Sequence, residues 1–339
     1  MMDSFIYEAL PMRVVFGSGA LSRIAEETDR LGLRRVLVLS TPEQRDLADR
    51  VAAALGDRAA GVFAQARPHV PVPTVAAASR AAAKSRADGC VAAGGGSTIG
   101  LGKALALQQD LPIVALPTTY AGSEMTPIWG LTENNRKQTG RDRKVLPRSV
   151  VYDPDLTASL PATVAATSGL NAIAHAVEAL YAPDVSPVVA AMAEQGVQDL
   201  ASSFTGPAAL RGAWLCGACL GATTMGLHHK LCHVLGGMLD LPHAETHAIL
   251  LPHVAAFNLP AAPDAAAALS RALNTDDPAA ALAKLAASTG APSDLAALGV
   301  KETDLTPVVD EVLANPYANP RPAHRPDLEA LLHRAVKPA

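Results

Sequence analysis

Up to Val150-Val151-Tyr152 the chain alternates short apolar runs with helix-patterned stretches, and beyond Asp153-Pro154 only helical patterns follow. That switch constrains the fold more than any other feature. Met12–Phe16, Arg35–Ser40, Gly61–Phe63, Gly89–Ala93 and Pro112–Leu116 read as strands, and Ala20–Leu31, Gln44–Leu55, Val75–Arg86 and Thr98–Gln108 read as helices. Short apolar runs bounded by turn residues suit strands buried on both faces, and strands separated by helices give a parallel sheet covered by helices. From Leu156 onward, Ala- and Leu-rich stretches broken by Pro and Gly read as packed helices, Ala261–Ala283 among them. The expected fold class is α/β plus all-α. A Rossmann-like parallel-sheet domain occupies 1–154 and an all-helical domain 155–339, with the boundary at Asp153-Pro154.

A chain of 339 residues is long enough for two such cores. With 28 basic and 32 acidic residues the formal charge is −4, and the basic residues are scattered, so neither nucleic acid nor a membrane surface is an expected partner. The start, Met1-Met2-Asp3-Ser4-Phe5, has no signal-peptide pattern, and no apolar run is long enough to span a bilayer. Cys216 and Cys219 form a C-x-x-C without a second pair to complete a zinc site. Reduced cysteines and a cytoplasmic location are the expectation.

Gly94-Gly95-Gly96-Ser97 separates an apolar strand from a helix. Glycines let backbone approach a ligand closely, and a helix N-terminus offers unpaired N–H groups to a phosphate. Thr118 and Thr119 end the next strand, at the carboxyl edge where ligands of such sheets bind. The strand Arg35–Leu39 runs into Ser40-Thr41 instead of the acid that usually holds the ribose hydroxyls. Ser40 is therefore a candidate cofactor contact that does not repel a 2′-phosphate, and both NADH and NADPH are admissible.

Histidines mark the second half. Asn171 and His175 are four residues apart, as are His229 and His233, and each pair shares one helical face. His243 follows in Leu241-Pro242-His243, and Lys230 lies between the paired histidines. Imidazoles grouped on apolar helices suggest one catalytic pocket, since imidazole can ligate metal or move a proton near neutral pH. Asn171 stands where a metal site would want a carboxylate. His228 and His253 read as structural, Glu178 as a helix-flank residue, and His247 as equally a pocket residue or a supporting one.

Taken together these stretches resemble the iron-containing (group III) alcohol dehydrogenase family over nearly the whole chain. The residues that carry the resemblance are Gly94-Gly-Gly-Ser-Thr-Ile-Gly-Leu-Gly-Lys103, Tyr120-Ala-Gly-Ser-Glu-Met-Thr-Pro127, Ser168-Gly-Leu-Asn-Ala-Ile-Ala-His-Ala-Val-Glu178, Leu241-Pro-His-Ala-Glu-Thr-His247 and Asn315-Pro-Tyr-Ala-Asn-Pro-Arg-Pro322. They resemble most the branch that reduces maleylacetate. The resemblance implies a dehydroquinate synthase-like architecture, with a nicotinamide-binding domain, a helical catalytic domain and the active site in the cleft between them. It implies NADH or NADPH as cofactor, a dicarboxylate substrate and a homodimer. It places cofactor contacts at Ser40, Gly94, Gly95, Gly96, Ser97, Thr118, Thr119 and Lys137. It places catalytic groups at His175, His229, His233, His243, Lys230, Asn171, Tyr120 and Ser123.

The family's metal-binding Asp falls on Asn171, its three ligand histidines on His175, His229 and His243, and a further acid on Gly100. Both acids are missing, so a metal is not expected to be essential; if one binds, those three histidines hold it. The alternatives are a metal-dependent alcohol or glycerol dehydrogenase of the same fold, a dehydroquinate synthase-type lyase, and a nucleotide-binding module without catalysis.

Overall fold

The computed structural model describes residues 5–10, 12–133, 136–290 and 292–337, with the backbone alone for Arg136 and Lys137. The chain divides into a sheet unit, Ala9–Ser159, and a helical unit, Leu160–Ala339, to which the described part of 1–8 also belongs. In the sheet unit β1 (Arg13–Phe16), α1 (Ile24–Arg30), β2 (Val36–Leu39), α2 (Arg45–Leu55), β3 (Ala59–Phe63), α3 (Val72–Ser85), β4 (Gly89–Gly94), α4 (Gly96–Gln109) and β5 (Ile113–Pro117) follow the alternation in the sequence. A hairpin comes next, β6 (Ile128–Glu133) and β7 (Arg136–Arg141), then β8 (Ser149–Tyr152) and the short α5 (Pro154–Thr157). Asp153 is no linker: its carboxylate caps α5 and accepts the backbone N–H groups of Gly19 and Leu21.

The main sheet is parallel, in the order β1-β8-β5-β4-β2-β3. Its central strands are buried on both faces, so they are continuous apolar runs such as Val36-Leu37-Val38-Leu39. One face packs on α1 and α2 through Ile24, Ala48, Val51 and Leu55. The other packs on α3 and α4 through Val75, Ala78, Ile99 and Leu105. The chain runs outward from β2 to β3, then returns to β4 and proceeds the other way to β5. The carboxyl ends of β2 and β4 therefore flank the topological switch point, where open α/β sheets bind ligands.

The hairpin is tied to α4 by a closed ring of contacts. Lys103 of α4 is buried, and its Nζ donates to the Thr126 carbonyl, the Thr126 hydroxyl and the Ile128 carbonyl at 2.7–2.9 Å. Further along β6, Thr132 donates its hydroxyl to the His69 carbonyl and its N–H to that of Val70. His69 and Val70 both have positive φ, 61° and 49°, which is strained for a β-branched residue. Val70 in turn packs over Gly100 of α4, where an added Cβ would lie 2.7 Å from its Cγ2. The hairpin, absent from the sequence reading, is held in register by Trp129 lying over its cross-strand partner Gly140.

The helical unit contains α6 (Ala162–Leu180), α7 (Pro187–Ser202), α8 (Gly206–Ala222), α9 (Leu227–Leu239), α10 (His243–Asn258), α11 (Pro263–Leu273), α12 (Pro278–Ala287), α13 (Glu302–Ala314) and α14 (Arg325–Val336). Every residue of α6 from Ala165 to Leu180 is buried, which its alanines and Gly169 permit. A Cβ on Gly169 would meet the Phe204 ring at 2.3 Å. A second core gathers α9, α10, α13 and α14 around Leu231, Leu250, Val308 and Leu331.

Gly100 occupies the position of the missing acid because Val70 fills that space. Gly100→Asp is expected to lower unfolding free energy by about 1–3 kcal/mol through overpacking, measured by urea titration. Unchanged stability would show that Val70 yields freely.

Candidate active site

At the end of β4, Gly94 has φ +155°, and a Cβ there would lie 2.5 Å from the Thr98 hydroxyl. A Cβ on Gly95 would meet Thr119 at 3.0 Å. Gly95 is the N-cap of α4 and no side chain caps the helix, so the amides of Gly96 and Ser97 open an uncovered N-terminus. That is a phosphate cradle by construction. Thr118 is buried and accepts a hydrogen bond from Gln44 Nε2 at 2.8 Å, while Thr119 and Ser97 are half-buried beside the glycines. The open glycine edge and uncapped amides fit the diphosphate of a dinucleotide.

Two cofactor expectations change at the end of β2. Ser40 is fully buried and its hydroxyl donates to the Thr41 carbonyl, so Thr41 is the residue presented there. A carboxylate is also present: Glu43 lies in the 3₁₀ turn Pro42–Gln44 just past the strand. Its backbone and Thr41 hydrogen bonds, with the charge of Arg67, hold its carboxyl below the usual value. Lys137 lies on β7, but its side chain is outside the described residues. Tyr120 is buried in the sheet unit, its phenol pushed up by burial against a hydrogen bond to Thr157. Ser123 is half-buried on a 3₁₀ turn.

In the helical unit six histidines form one cluster. His175 comes from α6, His228, His229 and His233 from α9, and His243 and His247 from α10. Ring centroids are 5.0 Å apart for His175 and His229, 4.9 Å for His229 and His247, 4.3 Å for His243 and His247, and 4.8 Å for His228 and His247. His233 and His243 are exposed and stack at 6.3 Å, whereas the other four are buried. Lys230 is half-buried and makes no hydrogen bond or ion pair with any described residue.

Glu178 organises the cluster, and the sequence reading misplaced it as a helix-flank residue. It is 1% exposed. Its carboxylate accepts the backbone N–H groups of Gly226 at 2.9 Å, His228 at 2.8 Å and His229 at 3.3 Å, so a side chain of α6 caps the first turn of α9. Gly226 has to be glycine, because a Cβ would lie 2.8 Å from the Ala318 carbonyl oxygen and 3.0 Å from Glu178 itself. Glu178 also accepts His229 Nδ1–H at 2.7 Å, and His229 Nε2 faces His175 Nδ1 at 2.9 Å. Burial pushes the Glu178 carboxyl up, but the His229 hydrogen bond, the charges of His229 and His228 and the Gly226 N–H outweigh it and bring it to about 2. The missed signal was in the spacing: Asn171, His175 and Glu178 are i, i+4, i+7, and His243 and His247 are i, i+4.

His228 Nε2 and His247 Nδ1 form a second pair at 3.0 Å, with Cys232 Sγ 3.7 Å from His228 Nε2. Asn171 Oδ1, His228 Nδ1 and His247 Nε2 are buried without partners among the described residues. An unsatisfied buried polar atom costs about 1–3 kcal/mol, so three in one cluster point to a ligand that completes it.

The iron of the family the sequence resembles is a poor fit to these residues. Asn171 is a neutral donor, and Glu178, the nearby acid, is saturated with N–H groups. Among the described residues the group with metal-ligand spacing is His228, Cys232 and His247, not His175, His229 and His243. Metal-bound imidazoles normally have their second nitrogen anchored, and those of His228 and His247 are not. A hydrogen-bonded imidazole pair accounts for that group.

Residues 11–154 match the iron-containing alcohol dehydrogenase family, and residues 165–336 match the C-terminal part of the Fe-containing alcohol dehydrogenase family. The chain belongs to the iron-containing alcohol dehydrogenase family. It is 54% identical to a maleylacetate reductase of Delftia acidovorans, over 98% of this chain and 97% of that protein. The crystal structure of maleylacetate reductase from Agrobacterium tumefaciens superposes with a TM-score of 0.96 at 49% identity, covering 99% of both chains. An iron-containing alcohol dehydrogenase from Corynebacterium glutamicum superposes with a TM-score of 0.94 at 40% identity, covering 98% of this chain and 97% of that one. The protein is thus an oxidoreductase of this family, and no helix among its described residues is long and apolar enough to cross a membrane.

Burial pulls His228 down from 6.5 to about 3 and lowers His247 as well, whereas Glu178 falls from 4.5 to about 2. The unfolded chain binds more protons than the folded one below the unfolded values, so stability is lost as pH falls through both windows. The histidine contribution is complete above pH 6.5 and declines below it; that of Glu178 is complete above about pH 4.5 and declines towards pH 2. Urea unfolding between pH 7.5 and 5.5 is expected to show a decline approaching about 1.4 kcal/mol per pH unit for each histidine, reduced in His228→Gln. A flat profile over that range would contradict the buried neutral pair.

Proposed function

We propose that this enzyme reduces the conjugated carbon–carbon double bond of maleylacetate, giving 3-oxoadipate, with NADH or NADPH. The observation that carries the reading is a buried imidazole cluster with Asn171 in place of an acid, in a chain 54% identical to a maleylacetate reductase. When bound, the reduced nicotinamide supplies a hydride to the alkene. The uncapped amides of Gly96 and Ser97 hold the diphosphate, with Thr119 beside them.

Negative charge then develops on the substrate ketone oxygen. Asn171 answers it as a carboxylate would not: its amide offers N–H donors, whereas an ionised acid offers acceptors alone. Glu178 keeps a proton on His229 Nδ1, so the mobile proton of the chain lies between His229 Nε2 and His175 Nδ1. A proton from solvent taken up at His175 Nε2 is thereby matched by charge on His229 beside Glu178; His175 delivers it to the enolate carbon as the Nδ1 proton returns from His229 Nε2. Lys230, an unpaired cation, suits a substrate carboxylate. His243 and His233 line the exposed end of the cluster. A conjugated enolate spreads its charge, so no step needs a metal. Four buried free thiols fit a reducing cytoplasm.

Purified protein is expected to consume NADH on addition of maleylacetate, equally with and without EDTA. Efficient oxidation of ethanol or glycerol with indifference to maleylacetate would overturn the reading, as would complete loss with EDTA restored by one divalent ion. His175→Ala and Asn171→Asp are each expected to lower kcat by about 10²-fold or more with the fold intact. Wild-type kcat in either variant removes that residue from the mechanism.

Glu43 repels a 2′-phosphate and Arg67 attracts it, so kcat/KM for NADH and NADPH should agree within about 30-fold, roughly 2 kcal/mol. Glu43→Gln should favour NADPH and Arg67→Gln NADH. A preference above about 10³-fold would assign the choice to another residue.

A further inference from the structure

Helix α10 has two opposite working faces. At about 100° per residue, His243 and His247 fall on one side, while Ala248, Ile249, Pro252 and Ala256 centre on the other. That second face is one wall of a cavity of about 810 Å³, closed opposite by Ala283 and Ala287 of α12. The volume is that of pockets that enclose small organic ligands. Its polar groups are few: His253, Arg334, Asp277 and Ser293. His253 of α10 and Arg334 of α14 both line it, and Arg334 has no hydrogen bond or ion pair with any described residue. Asp277, the acid in the wall, is occupied as the N-cap of α12, accepting the Ala280 N–H at 3.0 Å.

We propose that this cavity is a binding site for a small organic anion, an apolar monocarboxylate of bicyclic-aromatic size, whose carboxylate sits between Arg334 and His253. The apolar body replaces water against a wall of alanine, proline and isoleucine methyl groups, the favourable term for burial. The guanidinium supplies a charge-assisted pair of N–H donors in the planar fork that matches a carboxylate. His253 already feels the charge of Arg334: burial first and Arg334 second hold its imidazole below the usual value. A carboxylate placed between them would favour the protonated imidazole and so gain a second charged donor. Arg334 is the one lysine or arginine on the rim of this largely methyl-lined cavity, exposed and without an acid partner among the described residues. The site is separate from the histidine cluster and its occupancy does not depend on the reaction proposed above.

The test is an NMR titration of the whole enzyme with 2-naphthoate, following the histidine ring Cε1–H signals. The His253 signal should move with a Kd of about 1 mM, the strength expected for about thirteen heavy atoms. The neutral isostere 2-naphthalenemethanol and the variant Arg334→Gln should each weaken binding by about tenfold or more. Ala283→Trp, which fills the cavity, should abolish it; Arg334→Gln is a surface change and keeps the test intact if that variant does not fold. A response of His233 and His243 in place of His253, or equal binding by Arg334→Gln and wild type, would refute the site.

Discussion

One buried carboxylate fixes the geometry on which the chemistry depends. Glu178 reaches from α6 to the first turn of α9 and takes three of its backbone N–H groups together with the imidazole N–H of His229. A helix N-terminus carries partial positive charge, so an ionised acid is favoured there. Those interactions keep it charged although burial alone would neutralise it. Removing it would leave several N–H groups unpaired in a dry interior, which costs far more than one ordinary hydrogen bond. The same contact settles which nitrogen of His229 carries its proton, and hence which nitrogen faces His175. Position, charge and tautomer follow from one side chain.

The sheet unit solves a different problem with backbone. Its cradle needs room and bare N–H groups, and glycines supply both where any Cβ would strike Thr98 or Thr119. The hairpin and the strained turn at His69 and Val70 are fixed to α4 through Lys103 and Gly100. A buried lysine with three oxygen partners, its value pulled down to about 7 by burial against the opposing charge of Glu124, is an expensive fastener. It anchors the root of a two-stranded hairpin, an element that is marginal by itself.

The sheet was legible because its strands are apolar on both faces and bounded by glycine and proline, the pattern that single-chain periodicity reads best. The hairpin was not: Trp129-Gly-Leu-Thr and Arg136-Lys-Gln-Thr-Gly lack clean alternation, and its register depends on Trp129 covering a glycine eleven positions away. In the helical unit His175, His229, His233 and His243 were legible from spacing and motif. Glu178 and His247 carried the same helical spacing, but an acid or imidazole on an Ala-rich helix looks identical in sequence whether it faces solvent or a neighbouring helix. Only the packing of α6 on α9 and α10 distinguishes them. Ser40 shows the same limit: its sequence does not reveal that the hydroxyl is buried and donates to the neighbouring Thr41 carbonyl.

The placement of unpaired polar atoms separates structural polarity from functional polarity. Among the described residues of the helical unit the buried side-chain atoms without partners are Asn171 Oδ1, His228 Nδ1 and His247 Nε2, and all three are in the histidine cluster. A structural network such as that of Glu178 satisfies its members. A pocket that takes a ligand does not, because donors and acceptors of the ligand and its bound water complete it. Neutrality matters here as much as vacancy. An acid at position 171 would be buried and would be driven to take up a proton or a cation. Asparagine keeps the volume and the hydrogen-bonding capacity while removing that demand. The helical unit thereby presents a neutral amide at position 171, which can meet developing negative charge without first having to bind a counterion.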